Sequence, residues 1–454
     1  MRVSKNRMQG AARPWLIGVL VVAAIAVALG VWLLGARNPL GFSKGPQVAL
    51  SDYHGADPTG VPASLRQASL VQQGAYLAKA ADCLVCHTAR GGAAFAGGFA
   101  FTLPFGTIYS TNITPDQETG IGNYSDAEFL NAMHGGIRRD GAHLYPAMPF
   151  ASYTFMSDAD ALAIKAYLFS LPAVHAPARS NTLSFPFNQR WLLAMWSAAF
   201  NAGERFHPDG SQSPVWNRGA YLAEALEHCG ECHTPRNPAL ALNERRKFGG
   251  ALTAGWHAYN ISSDAGTGIG SWSAEEVSAY LKQGHAGGHG TAVGPMGEAV
   301  DDSLSQLDAS DLAALVTYVR SVPPVESQEL PARLAALASP SHRDGPAGDG
   351  LGKRVFEGAC VSCHGWSGTS PINGFATLTG ARAVNDPTGT NVVQVVLAGA
   401  DRTTPDGILR MPAFGSYSDS EVAAVANYVT ARFGTTGSAL RESDVASLRH
   451  QSEQ

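Results

Sequence analysis

The six cysteines of this chain fall into one repeated pattern: Cys83-Leu-Val-Cys86-His87, Cys229-Gly-Glu-Cys232-His233 and Cys360-Val-Ser-Cys363-His364. Two thiols two residues apart, followed at once by an imidazole, can do three kinds of chemistry. They can close as disulfides, which an exported chain would favour. They can hold zinc, which also uses CxxC pairs. Or they can add to the vinyl groups of a porphyrin, with the adjacent His reaching the iron from one face. Zinc would need a second ligand pair nearby, and none follows at the usual spacing. Disulfides give no reason for a His after every second Cys. All three motifs carry that His and no cysteine is left over. The pattern therefore points to three covalently bound haem c groups, and the nine motif residues are the candidate cofactor-binding set.

His87, His233 and His364 would each fill one axial position on an iron. A Met sulfur on the opposite face raises the reduction potential and suits electron transfer. Between Cys232 and Cys360 the only Met is Met296, and after Cys363 the only Met is Met411. In the first unit Met133, Met148 and Met156 compete. Met148 is chosen because Pro149 follows it and because it lies 65 residues after Cys83, close to the 67 between Cys229 and Met296. The competing reading for any Met is core filler. With the sixth position filled, no place is left for oxygen or peroxide. That points to transfer of electrons, and no catalytic residue is assigned.

The elements that must position these residues also repeat. Gly74-Ala-Tyr-Leu-Ala precedes the first motif, Gly219-Ala-Tyr-Leu-Ala the second and Gly352-Lys-Arg-Val-Phe the third. Each reads as an amphipathic helix leading into the cysteines. Downstream, Asn112-Ile-Thr with Gly120-Ile-Gly matches Asn260-Ile-Ser with Gly268-Ile-Gly. Both Asn fit the glycosylation pattern, but the repetition marks them as loop residues around the haem. Closing helices are expected at 157–172, 308–324 and 418–434, each opened by Ser or Asp and stopped by Pro or Gly. A helix, a haem-binding turn, a loop-rich middle and a closing helix describe a cytochrome c domain. The fold class expected is mainly α, with three tandem cytochrome c-like domains after one N-terminal transmembrane helix. The boundaries are 66–175, 214–324 and 348–435, with linkers at 176–213 and 325–347 and a tail at 436–454.

Pro14 to Gly35 is 22 residues without a charge, enough helix to cross roughly 33 Å of bilayer. Arg2, Lys5, Arg7 and Arg13 precede it, so the N-terminus should stay in the cytoplasm. The alternative is a cleaved signal, although the run is long for one. Both place the body outside the cytoplasm, and the expectation is a single-pass membrane protein with periplasmic haem domains. A net charge of -5 argues against nucleic acid as a partner. Among the remaining residues, Arg138, Arg139 and Arg382 suit haem propionates, with surface charge the equal alternative. His134, His285 and His289 read as loop residues ahead of metal ligands. Phe185 to Phe200 is apolar and aromatic, and reads as a packed linker ahead of a bilayer-surface segment.

From about Gly74 to Leu448 the chain resembles the triheme cytochrome c subunits of bacterial membrane-bound dehydrogenases. The residues carrying this are Gly74-Ala-Tyr-Leu with Cys83–Thr88, Gly106-Thr-Ile-Tyr-Ser-Thr-Asn-Ile-Thr-Pro-Asp, His134-Gly-Gly-Ile-Arg, Tyr145-Pro-Ala-Met-Pro-Phe and His228-Cys-Gly-Glu-Cys-His-Thr-Pro-Arg236. The resemblance implies a relay. A catalytic dehydrogenase subunit of molybdenum, flavin or quinoprotein type oxidises substrate, and electrons pass singly through the haems to ubiquinone. Members serving quinoprotein alcohol dehydrogenase open with a cleaved signal and end in a longer tail. That contrast keeps aldehyde and other molybdenum partners open. The rival from another class is an electron-feeding cytochrome c subunit of a terminal oxidase. A haem-based ligand sensor would need an open or displaceable axial site.

Overall fold

The structure, a computed structural model, describes residue 30 and residues 38–327, 350–404 and 407–452. The expected span at 14–35 lies, apart from Gly30, outside the described residues, as does the linker from 328 to 347. Among the described residues no helix is long and apolar enough to cross a membrane.

Three helical units follow one another. The first holds α1 (Leu70–Ala80), α2 (Cys83–Cys86), the strands β1 (Ala100–Leu103) and β2 (Gly106–Tyr109), α3 (Asp126–Gly135), α4 (Phe150–Tyr153) and α5 (Asp158–Ser170). A short helix, α6 (Leu192–Phe200), leads to the second. That unit holds α7 (Pro214–Tyr221), α8 (Gly230–His233), β3 (Ala251–Thr253), β4 (Trp256–Ala258) and α9 (Ala274–Gln283). It continues with β5 (His285–Ala286), β6 (Gly290–Thr291), α10 (Gly294–Asp302) and α11 (Ala309–Val319). The third holds α12 (Gly350–Ala359), α13 (Val361–His364), α14 (Thr390–Ala398), β7 (Ala400–Thr404), β8 (Gly407–Met411), α15 (Asp419–Phe433) and α16 (Glu442–Ser452).

Local chemistry explains where these helices start. Ser69, Ser125, Ser273 and Ser418 each form a capping box with the Gln or Glu three residues on, satisfying two otherwise orphaned backbone N–H groups. Ser157, Ser213 and Asp308 cap α5, α7 and α11. The residue pattern predicts loop in the middle of each unit, yet two-stranded antiparallel hairpins stand there. Their strands run two to five residues, too short for a period-two pattern to show through the surrounding Gly and Pro.

In every unit the leading helix crosses the closing helix through a glycine. An ideal Cβ on Gly74 would lie 1.8 Å from the Ala163 carbonyl oxygen, on Gly219 2.0 Å from that of Ala314, and on Gly352 2.2 Å from that of Ala424. Only a residue without a side chain lets the backbones meet so closely. Tyr167, Tyr318 and Tyr428 flank the three crossings with their Cβ atoms.

The first two units share one continuous apolar core, which includes Leu77, Met156, Ile164, Leu222, Leu226 and Tyr318; the third has its own around Phe356, Val393, Val422 and Phe433. The first two are also joined by a reciprocal exchange. Tyr76 on α1 donates to Asp311 on α11 at 2.6 Å, and Tyr221 on α7 donates to Asp160 on α5 at 2.5 Å. Each phenol oxygen also accepts from a capping-residue N–H, that of Asp308 at 3.2 Å and that of Ser157 at 3.0 Å. The same bond made in both directions is the signature of a two-fold-related interface.

Three segments outside the expected domain bounds are also ordered into the fold. Residues assigned to the tail form α16, where Val445 is fully buried and Arg449 Nε reaches Asp419 at 2.8 Å. Residues 38–65, ahead of the first expected boundary, lie across both units. Leu40 is buried, Phe42 meets Trp216 and Tyr318, and Gly60 N–H donates to Asp160. In the 176–213 linker, α6 places Trp196 edge-on to Phe150 with its indole N–H on the Ala239 carbonyl, while Trp191 and Met195 are exposed.

Candidate haem centres

Each cysteine pair stands where a leading helix ends. In the first two units the residue before the first Cys is left-handed, Asp82 at φ 51° and His228 at φ 38°. That is a conformation non-glycine residues rarely adopt, and it turns the chain sharply into the CxxC turn, just after α1 in the first unit and just after the π-helical segment Leu222–Leu226 that continues α7 in the second. The third unit reaches Cys360 directly from α12. None of the six cysteines is in a disulfide. Burial pushes the Cys83 thiol up to about 12 and that of Cys360 to about 11, so these are not activated thiolates. Among the described residues no three or more His, Cys, Asp or Glu gather as a metal-holding group.

The three motif histidines share one geometry. His87 Nδ1 lies 2.7 Å from the Thr111 carbonyl, His233 Nδ1 2.6 Å from that of Tyr259, and His364 Nδ1 2.6 Å from that of Ala376. A carbonyl can only accept, so Nδ1 carries the proton and Nε2 keeps its lone pair. Burial lowers the pKa of all three rings, opposed by the carbonyl bond. A neutral imidazole, oriented through Nδ1 and free at Nε2, is what an axial iron ligand requires. The residues therefore fit a c-type haem: paired thiols at the helix end, an oriented imidazole beside them, and apolar surroundings.

Met148, Met296 and Met411 are partly buried against the cores of their units. Their local settings differ. Met148 closes a turn onto the Tyr145 carbonyl just before α4, Met296 sits in the first turn of α10, and Met411 ends β8. Met133 and Met156, the competitors in the first unit, are buried in the shared core.

Asn112 and Asn260 are buried. Asn112 Nδ2 donates to Thr119 Oγ1 and the Val174 carbonyl, and Asn260 Nδ2 to Thr267 Oγ1 and the Val325 carbonyl. Each thus ties the loop beyond its hairpin to the end of the closing helix, and glycosylation there is sterically closed. Arg138 pairs with Asp140 and Arg139 with Glu128 at the surface. Arg382 lies over the Tyr259 ring at 5.5 Å. His134 meets the Tyr153 carbonyl, His285 stacks on Phe375 and His289 stacks on Trp272.

Sequence reasoning missed the three acceptor carbonyls, because a backbone oxygen has no residue type. A signal did exist for two of them: Thr111 and Tyr259 each directly precede the repeated Asn-Ile pair. It also missed Asp160 and Asp311, although both lie three residues after a helix cap opposite a repeated Gly-Ala-Tyr.

Comparison with known proteins agrees with this geometry. The Cytochrome c family model matches residues 71–172, and the model for cytochrome c oxidase, cbb3-type, subunit III matches residues 350–429. The fructose dehydrogenase cytochrome subunit of Gluconobacter japonicus is 39% identical over 410 residues, covering 86% of this chain and 84% of that protein. The gluconate 2-dehydrogenase cytochrome c subunit of Pantoea cypripedii is 36% identical over 84% of this chain and 90% of that one. A nicotinate dehydrogenase subunit of Pseudomonas putida is 42% identical over 81% of this chain, which spans 30% of that longer protein. With haem-binding geometry and similarity over most of its length in agreement, the chain belongs to the family of cytochrome c subunits of bacterial dehydrogenases.

Proposed function

We propose that the chain is the triheme electron-transfer subunit of a membrane-bound periplasmic dehydrogenase, relaying electrons from a catalytic subunit to ubiquinone. Residues 66–175, 214–324 and 348–435 would be its three cytochrome c domains, following a membrane anchor at 14–35. The observation that carries the reading is the threefold recurrence of one arrangement: a CxxCH turn whose His Nδ1 is fixed by a backbone carbonyl. The dehydrogenase subunits aligned along most of the chain support the catalytic partner.

Covalently bound haem would supply the one-electron couple. Cys83 and Cys86, Cys229 and Cys232, and Cys360 and Cys363 would tether it by thioethers. His87, His233 and His364 through Nε2, and Met148, Met296 and Met411 through sulfur, would hold the irons. The apolar cores behind these residues exclude water and so tune the potential. The outer face of α6 and the chain just before it, with Phe185, Phe187, Trp191 and Met195 uncovered, suits the bilayer surface near which a quinone would be met.

The cbb3-type match at 350–429 favours a second reading, an electron-feeding subunit of a terminal oxidase. It spans one unit, whereas the dehydrogenase subunits align over 84% or more of the chain. Purification of the complex from detergent-solubilised native membranes separates the two. Haem, molybdenum, flavin and pyrroloquinoline quinone are measured beside substrate-driven ubiquinone reduction. A dehydrogenase cofactor with quinone reduction supports the relay and names the partner type. A co-purifying haem-copper oxidase without such a cofactor overturns it.

A further inference from the structure

The backbone that orients His233 is held from outside its own unit. In the first unit the equivalent backbone is held by the chain just beyond α5: Tyr109 N–H donates to Asn181 Oδ1 at 3.0 Å, and the Thr107 carbonyl accepts from Thr182 N–H at 3.0 Å. Two residues past Tyr109 stands Thr111, whose carbonyl accepts from His87.

In the second unit His257 takes the place of Tyr109, two residues before Tyr259. Its N–H donates to Asn391 Oδ1 at 2.8 Å, and its carbonyl accepts from Asn391 Nδ2 at 3.0 Å. The Gly255 carbonyl, in the place of Thr107, accepts from Gln394 Nε2 at 3.1 Å. Asn391 and Gln394 lie on α14 of the third unit. Asp386, just before that helix, takes His257 Nδ1 at 2.8 Å and the Tyr259 hydroxyl at 3.2 Å on one oxygen. Its other oxygen is fixed by Thr388 N–H at 2.9 Å and Thr388 Oγ1 at 2.7 Å. Asp386, Asn391 and Gln394 are all buried, so these bonds are structural obligations and not surface contacts.

We propose that Asn391, Gln394 and Asp386 are positioning residues for the axial ligand of the neighbouring unit. Side chains of the third unit stand in for the segment that braces the first. They fix the backbone at Tyr259, and through its carbonyl they set how strongly His233 donates. A firm acceptor at Nδ1 makes the imidazole a better donor and favours the ferric state. Releasing the brace lets that bond lengthen, and the reduction potential of the second haem rises. His87 and His364 take their carbonyls from Thr111 and Ala376, on other segments.

This rests on the haem reading above, so haem content is measured first. The full chain is prepared as wild type, Asn391→Ala and Asp386→Asn, with three haems per chain confirmed by pyridine haemochrome and folding by circular dichroism. Midpoint potentials are then resolved haem by haem, with electron paramagnetic resonance on poised samples. The expected result is that one haem of three moves upward by a threefold to tenfold change in its redox equilibrium, about 59 mV at the upper end for one electron. Asn391→Ala changes no charge, so its shift would report the brace and not lost electrostatics. Three unmoved midpoints, or three that move alike, in folded three-haem variants overturn the inference. Fewer than three haems in the wild type sinks the underlying reading instead.

Discussion

Replacing Tyr221 by Phe, compared with replacing Tyr76 by Phe, tests the exchange that joins the first two units. Both changes delete one hydroxyl and leave the ring in place, but the carboxylates left behind differ. Asp311 keeps two guanidinium bonds from Arg218, at 2.8 and 2.6 Å. Asp160, 4% exposed, keeps the Gly60 N–H at 2.8 Å and the Ser157 side chain, and feels Arg218 only through space. A hydrogen bond to a charged group contributes about 1.5–3 kcal/mol. Tyr221→Phe should therefore cost about 2–3 kcal/mol and Tyr76→Phe about 1 kcal/mol. Urea unfolding followed by Trp fluorescence measures both.

The pH dependence gives a second readout of the same pair. Burial raises the Asp160 pKa, opposed by the Tyr221 hydrogen bond. Without Tyr221 the folded state holds its proton to higher pH still. A group with a raised folded pKa stabilises most below its unfolded value and loses that contribution as pH climbs through the folded one. The Tyr221→Phe deficit should thus be small near pH 4 and grow toward neutrality. Equal, pH-independent losses in the two variants would refute the reasoning.

Other outcomes follow from the same geometry. Met148→Ala, Met296→Ala and Met411→Ala should each open one axial position, so that carbon monoxide shifts the reduced spectrum of one haem in three; no new carbon monoxide binding would remove that Met from the ligand set. Gly219→Ala should destabilise by about 1–3 kcal/mol despite the better helix propensity of Ala, because its Cβ would sit 2.0 Å from the Ala314 oxygen; a gain in the urea midpoint would contradict the crossing. Asp82, raised to about 7 chiefly by burial, should make stability fall as pH rises from about 4 to about 7, a slope that Asp82→Asn removes. Trp191→Ala, exposed at the start of α6, should change stability by under about 0.5 kcal/mol while slowing ubiquinone reduction; unchanged reduction takes that face out of any quinone role.

Much of this is legible from residue types. Two thiols two residues apart suit the two porphyrin vinyl groups and an adjacent His suits the iron, so Cys83, Cys86 and His87 read as a haem set from residue type alone. Helix starts are legible because Ser157, Asp308 and Ser418 satisfy specific N–H groups. What stays hidden depends on chain packing. The Thr111, Tyr259 and Ala376 carbonyls act through backbone, and Asp386 meets His257 across 129 residues of sequence. Helix α16 reads as tail because its single deeply buried side chain, Val445, gives no periodic stripe. In the α6 segment Trp196 packs inward, as a packed linker requires, while Trp191 is exposed.

The division of cores also has a dynamic consequence. Parting the first unit from the second would open one apolar interior, whereas lifting away the third breaks chiefly the polar contacts of Asp386, Asn391, Gln394 and Arg402. Amides of α1, α5, α7 and α11 should therefore exchange with solvent deuterium through a single shared opening, while those of β4 follow a separate and easier one set by docking of the third unit. On that timescale the first two units should open together and the third apart from them, because only the first two share an apolar interior.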